Sequence, residues 1–320
     1  MWKKEDPNLK IDRDRMPDYE KYLVRKPIYE LCSGIKNRQS PVMTYMSRAQ
    51  VPDADCYLAF GWIYGLPEPN PHIPEHVHDF DEIIIHIGGS PYASRDLGAE
   101  IEFYIGGQPI TFNTTTSIFI PKGIPHGPLT WRKFTKPHIQ MVIMLGTGND
   151  ELSINRRDTG AVPSVTPRKN SDTDFEEYVV RTPIREVGRG VKNRQMPTMT
   201  YMNRHLVLGV NYYLECGWIY GMPEPNPHVF EHIHNYNELV IHFGSDPDHP
   251  EELGGEIEYC INGQPLTFST TSGLFIPKGV KHGPLTWQKY VRPHVEMTLI
   301  MGAGTFREVW SADAFGGHKK

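Results

Sequence analysis

A chain of 320 residues is long enough for two domains of ordinary size, each with a sizeable core. Its 33 basic and 38 acidic residues give no strong field of either sign, which argues against nucleic acid or an anionic membrane as the main partner. No stretch is long and apolar enough to span a membrane, and the opening Met1-Trp2-Lys3-Lys4-Glu5-Asp6-Pro7 lacks the apolar centre of a secretory signal, so a cytoplasmic protein is expected.

Residues 1–17 are charged and aperiodic and read as an N-terminal arm. From Asp18 the chain begins a unit that returns at Asp174, and the offset of 156 holds without insertion to Gly148 and Gly304. A period this long does not fit solenoid or propeller repeats and describes two duplicated domains. The expected organisation is an arm at 1–17, a first domain at 18–148, a linker at 149–173, a second domain at 174–304 and a tail at 305–320. The linker carries Asn-Asp, two Pro and Ser/Thr/Asn clusters. In the tail, Phe306, Val309, Trp310 and Phe315 form a short amphipathic piece.

Within each unit the pattern has period two. Stretches 56–64, 82–87, 100–105, 109–111, 117–120 and 138–145 read as strands, with Gly106-Gly107 as a hairpin turn. The 29 Gly and 28 Pro supply turns between short strands, which indicates an all-β sandwich or closed barrel. Cys32, Cys56, Cys216 and Cys260 have no Cys counterpart across the offset, so they read as small buried hydrophobes, not a disulfide framework.

The most informative stretch is His76-Val77-His78-Asp79-Phe80-Asp81-Glu82, which recurs as His232-Ile233-His234-Asn235-Tyr236-Asn237-Glu238. Each is followed by a Pro-Lys-Gly turn and a further histidine, His126 and His282. Side chains two and six apart share a face of a strand. His76, His78 and Glu82 are therefore expected on one strand face, with His126 arriving from a neighbour. Three imidazoles and one carboxylate suit Fe, Mn, Ni, Co, Cu or Zn, with room left for water or substrate.

His-x-His-x3-Glu followed by Pro-x-Gly-x2-His resembles the cupin superfamily, and its duplication over about 260 residues resembles a bicupin. The resemblance implies two tandem cupin-type antiparallel β-barrels with few short helices and a metal in each mouth. It assigns His76, His78, Glu82 and His126 to one site and His232, His234, Glu238 and His282 to the other. Asn70 and Asn226 stand where the family usually has Gly, and Thr130 and Thr286 where it usually has Asn, which leaves the subfamily open.

Around the ligands, His86 and His242 share strand parity with the glutamates; each reads either as a group orienting a ligand or relaying a proton, or as a core histidine. The Pro-rich segments 66–72 and 222–228 are either a rim presenting Glu68, Asn70, His72, Glu224, Asn226 and His228 to substrate, or scaffold. Lys36-Asn37-Arg38-Gln39 recurs as 192–195, and its Arg can clamp a carboxylate. Phe80, Trp62, Tyr236 and Trp218 offer aromatic surface. Tyr236 and Lys281, replacing Phe80 and Pro125, add a hydroxyl and a cation near the second site. With His242 they are the candidate catalytic residues there.

The expectation is a metal-dependent enzyme acting on a small anionic or phenolic molecule. The resemblance favours an Fe(II) dioxygenase of quinol- or flavonol-like aromatics. A non-oxidative isomerase, lyase or decarboxylase using Mn, Ni or Zn stands as the alternative, and a non-catalytic metal- or sugar-binding bicupin as a third. The two halves are expected to pair as an intramolecular pseudo-dimer, with a homo-oligomer open.

Overall fold

The period-two pattern is realised as antiparallel strands that fall at the same offset in both copies. The computed structural model describes residues 18–149, 173–187 and 190–310. The first repeat supplies β1 (Leu23–Val24), β2 (Ile28–Tyr29), β3 (Lys36–Arg38), β4 (Met43–Met46), β5 (Cys56–Glu68), β6 (Asp81–Gly88), β7 (Asp96–Ile105), β8 (Gln108–Thr114), β9 (Thr116–Ile120), β10 (His126–Phe134) and β11 (His138–Leu145). The second supplies β12 (Val179–Val180), β13 (Ile184–Arg185), β14 (Lys192–Arg194), β15 (Met199–Met202), β16 (Tyr212–Glu224), β17 (Asn237–Gly244), β18 (Glu252–Ile261), β19 (Gln264–Thr270), β20 (Ser272–Ile276), β21 (His282–Tyr290) and β22 (His294–Met301). Among the described residues, helix is limited to single turns, the last at Phe306–Val309.

Each repeat forms a large sheet facing a three-stranded one. In the first, the order is β12-β9-β6-β11-β5-β4-β2, with β3 also on β5, against β10-β7-β8. In the second, it is β1-β20-β17-β22-β16-β15-β13, with β14 also on β16, against β19-β18-β21. The protein is all-β, two antiparallel barrels in tandem.

One of the two outermost strands of each large sheet comes from the other repeat. Leu23 and Val24 pair with Leu274 and Gly273, and Val179 and Val180 pair with Ile118 and Ser117. Arg25 donates to the Thr267 carbonyl at 3.0 and 2.8 Å, and Arg181 does the same to Thr111 at 3.1 and 2.8 Å. This reciprocal exchange covers an edge that would otherwise present unpaired backbone groups. It has the isologous form of a homodimer contact.

The two large sheets also share a core in which Tyr45, Phe60, Trp62 and Met141 meet Tyr201, Trp218, Phe243 and Met297. The Phe60 and Phe243 rings lie 5.4 Å apart. Each such side chain contributes about 1.5–3 kcal/mol when fully buried. The opposite faces look into the barrels, toward Phe103 and Trp131 in one and Tyr259 and Trp287 in the other. Buried on both faces, β6 and β17 are mostly apolar, with only Glu82 and His86, and Glu238 and His242, as buried polar side chains.

Trp62 and Trp218 therefore belong to the core between the halves, not to a pocket wall. Val309 and Trp310 dock on Val187, Tyr213 and Ile300. Cys56 and Cys216 are buried, whereas Cys32 and Cys260 are partly exposed, and all four are free. The expected arm, almost all of the expected linker, and Phe315 lie outside the described residues.

Candidate metal centres

The ligand segment departs from the simple period-two expectation. His76 and His78 sit on an extended segment ahead of β6, and only Glu82 is on the strand. A bend at Asp79 and Phe80 separates them, and the Phe80 ring stacks on His78 at 4.1 Å. His76 instead faces His126 directly across two backbone hydrogen bonds of 2.9 Å each; His232 and His282 do the same at 2.8 and 3.0 Å. Glycine makes this approach feasible. At Gly127 (φ +96°) a Cβ would lie 2.5 Å from the Pro74 carbonyl oxygen, and at Gly283 (φ +97°) 2.4 Å from that of Phe230.

The preceding turn is held by Asp81, which accepts from the Lys122 N–H at 3.0 Å, and by Asn237, which accepts from Lys278 at 2.9 Å. The exchange of Asp81 for Asn237 is thus tolerated because either side chain presents the needed oxygen.

The four side chains of the second quartet, His232, His234, Glu238 and His282, bring their ligand atoms within 4.8 Å of one another. In the first, His76, His78 and His126 do so, and Glu82 Oε2 lies 3.3 Å from His78 Nε2 and 3.1 Å from His126 Nε2. All six imidazoles have Nδ1 within 2.7–3.0 Å of a backbone carbonyl. Donation from Nδ1 leaves the Nε2 lone pair facing inward, the tautomer a metal requires.

The buried Nε2 of His232 has no hydrogen-bond partner within the protein, while those of His126 and His282 face the carboxylates of Glu82 and Glu238 at 3.1 and 3.0 Å. Burial lowers His76 and His232 to about 4, so both are neutral near pH 7. Burial would raise Glu82 and Glu238, but the histidines against them hold both well below the usual carboxylate range. Inward-facing imidazole nitrogens, fixed tautomers and an ionised carboxylate fit a divalent transition metal in each barrel.

Below the ligands the barrels diverge. A cavity of about 10 Å³ in the second, close to what one water needs, is lined by Glu238, Arg194, Glu215, Glu296, Thr298 and Tyr259, among others. At the positions of the last four the first barrel has Ala59, Gln140, Val142 and Phe103. Glu296 Oε2 accepts from Arg194 Nε at 3.1 Å and lies 3.0 Å from Nη2, with His228 Nε2 at 3.6 Å. Burial pushes Glu296 up, but Arg194, His228 and His242 together outweigh it and keep the carboxyl well below its usual range.

Glu215 goes the other way: burial pushes it up to about 8, against the pull of Arg194. Arg194 Nη1 is buried without a partner. In the first barrel Arg38 bonds the Gln140 amide oxygen at 3.2 Å and contacts His72. Glu215 and Glu296 are absent from the residues expected on sequence grounds. Their signal is a difference between the copies: at inward-facing parity an acid replaces Ala59 and another replaces Gln140.

Several expected site residues are engaged elsewhere. Lys281 is exposed and pairs with Glu231 at 3.2 Å. Glu68 and Glu224 are exposed and pair with Lys36 and Lys192. The Asn70 side chain bonds both ways to the Trp131 backbone at 2.8 and 3.0 Å, and Asn226 does the same to Trp287.

From the same Pro-rich segments, His72 stacks on Trp131 and His228 on Trp287. Tyr236 is half-buried, 6.3 Å from the His234 ring. His86 and His242 are fully buried, without hydrogen-bond partners in the protein and lowered well below the usual range by burial. They sit among aromatic rings, in the deeper layer of each barrel.

The fold and its paired ligand sets are those of a bicupin. No protein-family profile and no curated protein matches this sequence. Among solved structures, AerE from Microcystis aeruginosa is similar at 12% identity with a TM-score of 0.50, over 88% of this chain and 99% of that one. A point mutant of Bacillus subtilis oxalate decarboxylase is similar at 10% identity with a TM-score of 0.51, over 83% of this chain and 73% of that one. A further oxalate decarboxylase structure gives 0.52 at 10% identity, over 87% and 75%.

Proposed function

We propose that the protein is a metal-dependent bicupin enzyme whose second barrel works on a small anionic molecule. The observation that carries this reading is the asymmetry beneath two matched ligand sets. Only the second has a neutral buried acid, Glu215, and an Arg–Glu pair, Arg194 and Glu296, lining the space beside its glutamate ligand. His232, His234, Glu238 and His282 would hold the metal, which supplies Lewis-acid polarisation of a bound oxygen. Arg194, with Nη1 unpaired, draws an anionic group inward. Glu215 delivers or removes a proton. The first quartet then braces its own barrel.

A buried acid of raised pKa favours proton-transfer chemistry: a lyase, a decarboxylase or an isomerase. Similarity to oxalate decarboxylase, one structure of which is described with Mn(II) centres, is compatible with it and makes Mn a candidate beside Fe, Ni, Co, Cu and Zn. An Fe(II) dioxygenase of quinol- or flavonol-like aromatics is the second reading. It is favoured by a three-histidine, one-glutamate donor set that leaves up to two adjacent positions for substrate and O2, and by the aromatic rings of Phe80 and Tyr236 beside the ligands.

The test is elemental analysis of protein purified without added metal, then assays of small carboxylates, enolates, hydroquinones and flavonols with and without O2. Turnover under strict anoxia with Mn, Ni or Zn, abolished in Glu238→Ala, supports proton-transfer chemistry. O2 uptake that needs iron and substrate together would transfer the conclusion to the dioxygenase.

A further inference from the structure

We propose that Glu215, Tyr213 and Glu186 form a proton relay joining the second barrel's cavity to solvent, a device whose inner terminus the first barrel lacks. This rests on the reading of the second barrel as the working one and supplies the route by which its acid is reloaded.

Glu215 and Tyr213 are two apart on β16, so both side chains project from the inner face. Glu215 lines the cavity beside Glu238. Its Oε2 lies 3.2 Å from Tyr213 Oη, and the same Oη lies 3.1 Å from Glu186 Oε1. Glu186 is half-buried and also accepts from Thr200 Oγ1 at 3.0 Å and Asn203 Nδ2 at 3.3 Å. Thr200 Oγ1 is 3.0 Å from Tyr213 Oη.

A phenol has one proton to donate, so Tyr213 cannot donate to both carboxylates at once. With Glu215 protonated, Glu215 donates to Tyr213 Oη and Tyr213 donates to Glu186. With Glu215 ionised and Glu186 protonated, the same three oxygens carry the bonds in the opposite sense. The chain therefore has two complete hydrogen-bonded states, and passing between them moves one proton across it.

In the forward step the Glu215 O–H bond breaks as a new bond to hydrogen forms on the substrate. Glu186, the accepting carboxylate in that state, takes a proton from solvent and passes it to Tyr213 as Tyr213 passes its own to the carboxylate left on Glu215. Glu186 thus ends ionised and Glu215 reloaded. No electrons are exchanged and no co-reactant is needed.

The first barrel is the internal control. Tyr57 Oη reaches Glu30 Oε1 at 2.8 Å and Thr44 Oγ1 at 2.7 Å, repeating the outer half of the chain. At the inner end stands Ala59, which has no proton to pass. Duplication thus left the outer groups in both copies, while an acid facing the cavity is present in one.

The experiment is infrared hydrogen–deuterium exchange on the full chain. A protonated-carboxyl C=O band, absent in Glu215→Gln, is expected to shift on transfer to D2O with a fast phase. In Tyr213→Phe the band should persist while the fast phase is lost; Tyr57→Phe should change neither. A band that Glu215→Gln does not remove, or exchange as fast in Tyr213→Phe as in the parent, overturns the relay. Should Tyr213→Phe fail to fold, Glu186→Gln interrupts the chain at its outer end and is read the same way.

With substrate, Glu215→Gln should lower kcat by about 10²–10⁴-fold, with the metal retained. Lost exchange without any turnover would uphold the relay and sink the functional reading. Turnover with unaltered exchange would do the reverse.

Discussion

Replacing Glu215 by Gln tests the electrostatics of the second barrel without reference to any substrate. In the unfolded chain this carboxyl titrates near 4.5, and in the folded protein burial pushes it up to about 8. Between those values the folded state holds one proton more than the unfolded state. Unfolding releases it, so stability falls as pH rises. The contribution is fully present below pH 4.5 and is lost as pH climbs through about 8.

The groups facing Glu215 are Arg194, which pulls its pKa down, and Glu296 and Glu186, which push it up; Tyr213 bonds to it, and Glu238 and Tyr259 share its cavity. Each pH unit inside the window contributes up to about 1.4 kcal/mol. From pH 5.5 to 7.5 the parent should lose about 2–3 kcal/mol that the glutamine variant, which does not ionise, retains. In a melt of a unit this size that is roughly 3–5 °C.

The assay is calorimetry of metal-free parent and variant at both pH values, where titration of the histidine ligands cancels in the difference. The variant should gain on the parent as pH rises. A gap in Tm that stays constant, or narrows, refutes a protonated Glu215 in the folded state.

Converting His76 and His78 together to Ala should lower bound metal per chain by about half, because the other quartet keeps its donors; unchanged content by elemental analysis would remove the two-site reading. Gly283→Ala places a Cβ 2.4 Å from the Phe230 carbonyl oxygen and should pry His282 from His232, costing metal in the second barrel and leaving the first loaded. Full metal content in that variant would show that the backbone approach does not position the ligands. Halves of 1–160 and 161–320 each lack the strand the other donates and should precipitate alone and co-assemble when mixed; two well-behaved monomers by sedimentation would contradict the exchange. Lys281→Ala should leave metal content and turnover unaltered, since its ammonium lies in solvent beside Glu231. A loss of turnover would return Lys281 to the site.

The class of fold and the grouping of the candidate ligands were legible before any coordinates. Period-two runs, dense turn residues and a duplication at constant offset specify short antiparallel strands in two equal units. His-x-His-x3-Glu with a histidine beyond a Pro-Lys-Gly turn specifies donors because few other arrangements put those side chains together twice. Parity could not foresee the bend at Asp79 and Phe80, which depends on a ring folding back on His78. Nor could it foresee that Gly127 and Gly283 are required where backbones nearly touch.

What else the sequence withheld was partnership. Glu68, Asn70 and Lys281 have the chemistry of a rim, but a residue's type does not say what already occupies it. Lys36, the Trp131 backbone and Glu231 do. Which strand closes which sheet was likewise set by packing between the repeats, since β1 and β12 are too short to declare a partner through their own pattern. Glu215 stands between the two cases. Its replacement of Ala59 is plain in the aligned repeats, but only the enclosure of β16 between two sheets makes it a buried acid, because desolvation is a property of the surroundings and not of the side chain.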